Sequence, residues 1–181
     1  MDLISSSFFY NNPLTQAYCA LNPEKKDIVY QQIRRLWSNK IEQTIKQQCS
    51  LIVEDLRDNK VIGCCTCIDY QTHFESNLNP GEDNEFAIIR NHLEETTFSN
   101  LEPAIKNILL EREKGVVFEL QGIGMAKGHS GTDVANLLLG ISIKRSQKKG
   151  FKYIYSFATN KKTHQMLKIN HFARVASTDS K

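Results

Sequence analysis

"ELQGIGMAKGHSGTDVANLLLGISIKRSQKKGFK", Glu119 to Lys152, is the stretch whose reading decides the fold. The apolar run VVFELQGIGMA reads as a buried strand, and it enters a turn carrying Gly128 and Gly131. The turn opens into an amphipathic helix over 134–148, with Val134, Leu137, Leu138 and Ile141 expected on one stripe and Gly150 as its stop. Strand, glycine turn and helix in that order make a phosphate cradle, because a helix N-terminus offers unpaired N–H groups and about half a positive charge. Asp133 stands where this helix begins. Aspartate is among the best N-caps, worth roughly 1 kcal/mol, and the donors that it satisfies are those a phosphate needs.

Outward from that stretch, YIYSFAT (153–159) reads as the next strand, 161–169 as a short helix, and HFARV as the start of another strand. A strand, helix and strand so joined form a right-handed parallel crossover. Upstream, NNPLTQAYCALN has Asn-Pro at a helix start, and Glu24 to Gln48 reads as a long helix with Ile28, Ile33, Leu36, Ile41 and Ile45 inward. Residues 50–56 and 61–70 read as strands joined by the turn RDNK. Residues 71–85 read as a polar loop, and 86–113 as helix broken near SNLEP, with Gly115 as the stop. The fold class expected is α/β with a mixed sheet.

At 181 residues the expectation is one domain, 1–181. No apolar run approaches the ~20 residues of a membrane span. MDLISSSFFYNN has no basic region ahead of an apolar stretch, and the first 33 residues contain no arginine, so neither a secretory nor a mitochondrial leader is expected. Cys64, Cys65 and Cys67 are expected as buried reduced thiols, with Cys65 and Cys67 on one face of a strand and Cys64 on the other. No second ligand pair follows at metal spacing, so no metal site is expected. These cysteines point to a reducing compartment, read as cytoplasmic.

The net charge of +3 is unevenly spread. Residues 1–101 hold nine Lys/Arg and fourteen Asp/Glu (−5), and residues 102–181 hold fourteen and six (+8). Between Lys144 and Lys168 there are eight basic residues and no acid. That run is either a solvated face or a landing surface for a polyanion, whether a nucleotide cofactor, a nucleic acid or an acidic partner. No recognised nucleic-acid motif accompanies it.

The element order, with KKGFKYIYSFATNKKTHQMLKINHF near the end and FFYNNPLTQAYCALN near the start, resembles the GCN5-related N-acetyltransferase (GNAT) superfamily. The opening helix is similar to that of the arylalkylamine and dopamine N-acetyltransferase branch. The resemblance implies a mostly antiparallel sheet with a central splayed pair of parallel strands, flanking helices, and a C-terminal hairpin that is short or missing. It also implies transfer of an acetyl group from acetyl-CoA to an amine, on a small molecule or a protein. The cofactor-binding residues it implies are Ile123, Gly124 and Met125 on the strand, then Gly128, His129, Ser130, Gly131, Thr132 and Asp133 in the turn, and Asn160 after the next strand. Glu119 lies roughly where other branches carry a catalytic carboxylate, and a strand acid paired with lysine is the alternative. His129 and His164 titrate near neutral pH as unperturbed side chains.

Several positions depart from the pattern. Asn12 stands where the dopamine-type branch has a glutamate, Leu167 where many members have a tyrosine, and His171 where a glycine precedes the closing aromatic. Lys127, Lys144, Lys148 and Lys149 are expected near the turn, offsetting Asp133. The alternative reading is a catalytically inactive protein of the same fold, serving as an interaction subunit, with the exposed sheet edge open to a protein partner.

Overall fold

The computed structural model describes residues 2–72, 85–111, 113–129 and 133–177. Two helices open the chain, α1 (Asp2–Asn11) and α2 (Pro13–Leu21). Asn12 separates them, and its side chain caps α2 by accepting the Thr15 N–H at 3.1 Å. A short 3-10 turn, Pro23–Lys25, leads into the long α3 (Lys26–Lys46). The hairpin β1 (Leu51–Asp55) and β2 (Lys60–Asp69) follows, its turn closed by Asn59 at φ 50°. Then come α4 (Glu85–Ser99), α5 (Pro103–Leu110), β3 (Val117–Met125), α6 (Asp133–Lys148), β4 (Tyr153–Ser156) and α7 (Lys161–Ile169).

The four strands lie in the order β1-β2-β3-β4. β1, β2 and β3 pair antiparallel, and β3 and β4 pair parallel through the α6 crossover. This is the mixed sheet with flanking helices expected of a GNAT-like fold. Helices α6 and α7 cover one face, where Leu138, Leu139 and Leu167 pack on Cys65, Cys67, Phe118 and Leu120. Helices α1 and α3 cover the other face with a second core of Ile4, Phe9, Val29, Ile33 and Trp37. A third core, including Leu101, Leu109, Val116 and Val117, closes the sheet where β3 begins.

Cys64 sits against the second core while Cys65 and Cys67 sit in the first, as strand alternation requires. Gly150 ends α6 at φ 87°, with Phe151 N–H bonded to Ser146 O and Gly150 N–H to Gln147 O, a Schellman stop. The break before Pro103 falls where it was expected.

Four expectations need correction. The buried stripe of α3 is Val29, Ile33, Trp37 and Thr44, whereas Ile28 and Ile45 are exposed. In α6 the core side is Leu138, Leu139, Ser142 and Ser146, leaving Leu137 58% and Ile141 41% exposed. Small serines let this helix approach the sheet closely, and their polarity hides the face in a hydrophobic pattern. Strand β4 stops at Ser156 rather than 159, and no strand forms at HFARV. Finally, Asp133 is the first residue of α6 rather than a cap outside it. The loop expected over 71–85 falls mostly on 73–84, outside the described residues.

Candidate functional site

Strand β3 contains one residue too many for its partner. Cys67 faces Leu120 and Thr66 faces Gly122, so Gln121 is an extra residue bulged out of the ladder. Alternation from Leu120, which lies in the α6 core, puts Gln121 on the α1/α3 face. Gly122 is on that face too, because a Cβ there would lie 2.8 Å from the Trp37 ring. Two successive residues on one side of a strand are the signature of a bulge, and a bulge bends its strand.

The bend separates β3 from β4. Their parallel pairing begins at Val117↔Tyr153 and ends at Leu120↔Ser156. The Ser156 hydroxyl closes that last pair by donating to Leu120 O at 3.1 Å. Past that point Gln121 to Met125 keep β2 on one side, and their β4-side edge has no strand partner among the described residues. Ile123 and Met125 lean on the α6 core. Gly124 lies under α1, where a Cβ would stand 3.0 Å from Ile4 Cα.

Glu119 lies one residue before the pairing of β3 and β4 ends. It is buried and lies directly across from Tyr155 in the parallel register. Tyr155 makes an edge-to-face contact with Tyr70, ring centroids 5.5 Å apart. Burial, then the charge of Glu119, then that of Glu94, pushes the Tyr70 phenol up to about 12. Tyr155 is also raised well above the ordinary range, first by burial, then by Tyr70, Glu119 and Glu94. Both phenols therefore hold their protons at neutral pH. One layer thus brings the Glu119 carboxyl group together with two phenols. Near the bulge, both amide atoms of Gln121, the Trp37 Nε1 and the Ser5 Oγ are buried without a hydrogen-bond partner among the described residues. Buried polar atoms left so are costly, and groups at ligand sites are a common reason for them.

The turn after β3 is less complete. Ala126 N–H reaches Ile62 O at 2.9 Å, His129 N–H reaches Ala126 O at 3.0 Å, and Gly128 holds φ 93°. His129 approaches the end of β1, where its charge is the smallest cause acting on Asp55; hydrogen bonds from Arg57 chiefly hold that carboxyl at about 2. Ser130, Gly131 and Thr132 lie outside the described residues. Asp133 is exposed in the first turn of α6, where its charge favours the helix and opposes an anion.

The expected cluster of lysines is not assembled there. At about 1.5 Å per residue, Lys144 lies roughly 16 Å along α6 from Asp133 and Lys148 roughly 22 Å. Lys149 donates to Gln47 O at 3.2 Å, at the end of α3. Of the four lysines only Lys127 stays beside the turn.

The remaining expected residues have structural work. Asn160 caps α7 by accepting the Thr163 N–H at 2.8 Å. Leu167 is buried in the α6 core. His171 takes φ 64° in a second Schellman stop, with Phe172 N–H on Leu167 O. That left-handed angle explains why a glycine suits the position. His164 is exposed on α7. Tyr70 went unnoticed in the sequence because only the folded sheet brings the end of β2 to Tyr155. Among the described residues no group of three or more His, Cys, Asp or Glu is placed to hold a metal ion. No described helix is long and apolar enough to cross a membrane.

No family model matches the chain. No curated protein matches it by sequence. Among solved structures it is similar to the C-terminal condensation domain of Ebony in complex with β-alanyl-dopamine, at 19% identity and TM-score 0.62, covering 95% of this chain and 75% of that one. The aminoglycoside antibiotic 6'-N-acetyltransferase AAC(6')-IG from Acinetobacter haemolyticus also matches, at 14% identity and TM-score 0.45, covering 80% and 77%. At these identities the likeness concerns the fold alone.

Proposed function

We propose that the chain transfers an acyl group from a CoA-type thioester to an amine at the opening between β3 and β4. The observation that carries this reading is the parting of the two strands just past Leu120↔Ser156, with Glu119 and Tyr155 at its closed end. An unpaired strand edge suits an extended arm with amide groups, such as the pantetheine of acetyl-CoA, because the backbone groups on that edge have no strand partner among the described residues. Gln121 to Met125 would hold that arm. The turn from Gly128 to Asp133, with Lys127, and Asn160 at the start of α7 would face its phosphate end, and Asp133 weakens that part of the fit. Bound acetyl-CoA would supply a thioester carbonyl as the electrophile.

In this reading Glu119 takes the proton that the attacking amine sheds as the N–C bond forms. Tyr155 holds the proton that the leaving sulfur needs as the C–S bond breaks. Tyr70 keeps the Tyr155 ring in place through its edge contact. The solved Ebony domain holds β-alanyl-dopamine, itself an amide of an amine, which supports amide formation among acyl-transfer chemistries.

Release of free thiol from acetyl-CoA in the presence of a panel of primary amines tests the proposal. Glu119→Gln should lower kcat by about 10²–10⁴-fold, the range for a lost general base, with the thermal midpoint little changed. An unchanged rate in that variant would remove Glu119 from the mechanism.

One alternative rests on its own observations. Asn12, Leu167 and Asp133, where the resemblance would put chemistry or phosphate contacts, are a helix cap, a core residue and a first-turn acid. A protein of this fold kept as an interaction subunit would show the same pattern. It would give no thiol release with any amine.

A further inference from the structure

The orphaned polar atoms near the bulge, Ser5 Oγ, Trp37 Nε1, and Gln121 Nε2 and Oε1, come from three elements, α1, α3 and β3. They gather around one glycine. Gln121 precedes Gly122 at the bulge and shares its face. Trp37 Cζ2, two bonds from the ring nitrogen, lies 3.4 Å from where a Cβ on Gly122 would stand. Ile4, the neighbour of Ser5 in α1, has its Cδ1 3.4 Å from the same point.

Ser5 is fully buried and Trp37 nearly so. The indole is held in place, because Phe8 meets its ring edge-on with centroids 5.7 Å apart and Lys40 Nζ lies 5.6 Å from its centre. Neighbouring hydroxyls on this side of the sheet are satisfied. Thr66 donates to Gly122 O at 3.3 Å, Thr44 donates to Ile41 O at 3.0 Å, and Ser6 and Tyr30 share a bond at 3.3 Å. Among the described residues the orphaned side-chain atoms are thus confined to the seam where α1 and α3 meet the bulge.

Burying such a group without a partner is costly, and four together would cancel a large share of a domain's net stability. A partner must accept from the indole N–H, which only donates, and must give to the Gln121 carbonyl oxygen, which only accepts. The three side chains are uncharged, so nothing in them calls for an ion. Water meets both demands, and a buried water typically makes about three hydrogen bonds to polar groups that are otherwise unsatisfied. We propose that Ser5, Trp37 and Gln121 hold at least one internal water in this seam, which ties α1 and α3 to the bulge of β3. The inference is independent of acyl transfer.

Trp37 is the chain's single tryptophan, so its indole N–H resonance is identified without assigning the rest. Water-selective NOE and ROE spectra of the isotope-labelled protein read the contact. Cross-peaks of opposite sign from water to this proton are expected, the pattern of a molecule that stays longer than the protein takes to tumble. Ser5→Ala removes the one hydroxyl of the three, which can pass magnetisation by proton exchange, and the cross-peaks should persist in it. Gln121→Leu, close in size but without the amide, should weaken them about two-fold or more, because the water loses a partner. The wild-type spectrum decides by itself should that variant fail to fold. Absent cross-peaks in the wild type, peaks of equal sign as proton exchange gives, disappearance with Ser5→Ala, or undiminished peaks in a folded Gln121→Leu would overturn the proposal.

Discussion

Tyr70 and Tyr155 share a layer with a buried carboxylate, and that layer has a consequence for stability as well as for the proposed chemistry. Tyr70 titrates at about 12 in the folded chain against an ordinary value of 10.0, chiefly through burial. Below pH 10 the phenol is protonated whether the chain is folded or not. Between about 10 and about 12 the unfolded chain loses this proton first, so the folded state loses stability as pH rises through that window. Urea unfolding at a series of pH values should show the decline, and Tyr70→Phe should make it shallower. An identical pH dependence in Tyr70→Phe would contradict the burial of that hydroxyl beside Glu119. At this scale the sequence was partly legible. Alternation alone puts Glu119, Gln121 and Ile123 on one face, but the bulge at Gln121 turns Ile123 to the α6 side, and Asn-Pro marks the start of α2. The sequence showed His171 where a glycine suits, but only the φ of 64° supplies the reason. Tyr70 was hidden because no local spacing relates it to Tyr155.

Helix α1 rests on β3 because two glycines leave room for it. A methyl group at Gly122 would press the Trp37 ring at 2.8 Å, and one at Gly124 would press Ile4 Cα at 3.0 Å. Gly140, in α6, has open space around the same position. Gly122→Ala and Gly124→Ala should each cost about 1–3 kcal/mol by overpacking. Gly140→Ala should instead gain up to about 1 kcal/mol from helix propensity. Chemical denaturation of the three variants checks the contrast, and a loss at Gly140 matching that at Gly124 would contradict the packing described. The hairpin, β3 and the crossover to β4 were legible because their turns carry strong local signals, whereas the strand expected at HFARV does not form. The stripes of α3 and α6 were not. Thr44, Ser142 and Ser146 are inward residues that no hydrophobic pattern selects, while Ile28, Ile45, Leu137 and Ile141 look inward and are exposed. The end of β4 depends on a bulge in a different strand, so its own sequence could not mark it.

Across the whole molecule, the charge asymmetry seen in the sequence has a definite placement. Lys148 and Lys149 stand at the far end of α6 from the turn, and Lys161, Lys162 and Lys168 lie exposed on α7. The basic run therefore does not gather at the phosphate turn, and linear proximity along a helix concealed a separation of roughly 20 Å. The central claim is that the gap beside Gln121–Met125 receives an acyl-CoA. Titration calorimetry of the folded wild-type chain with acetyl-CoA tests it most directly. The account predicts saturable binding at about micromolar affinity. No heat at millimolar acetyl-CoA would contradict it.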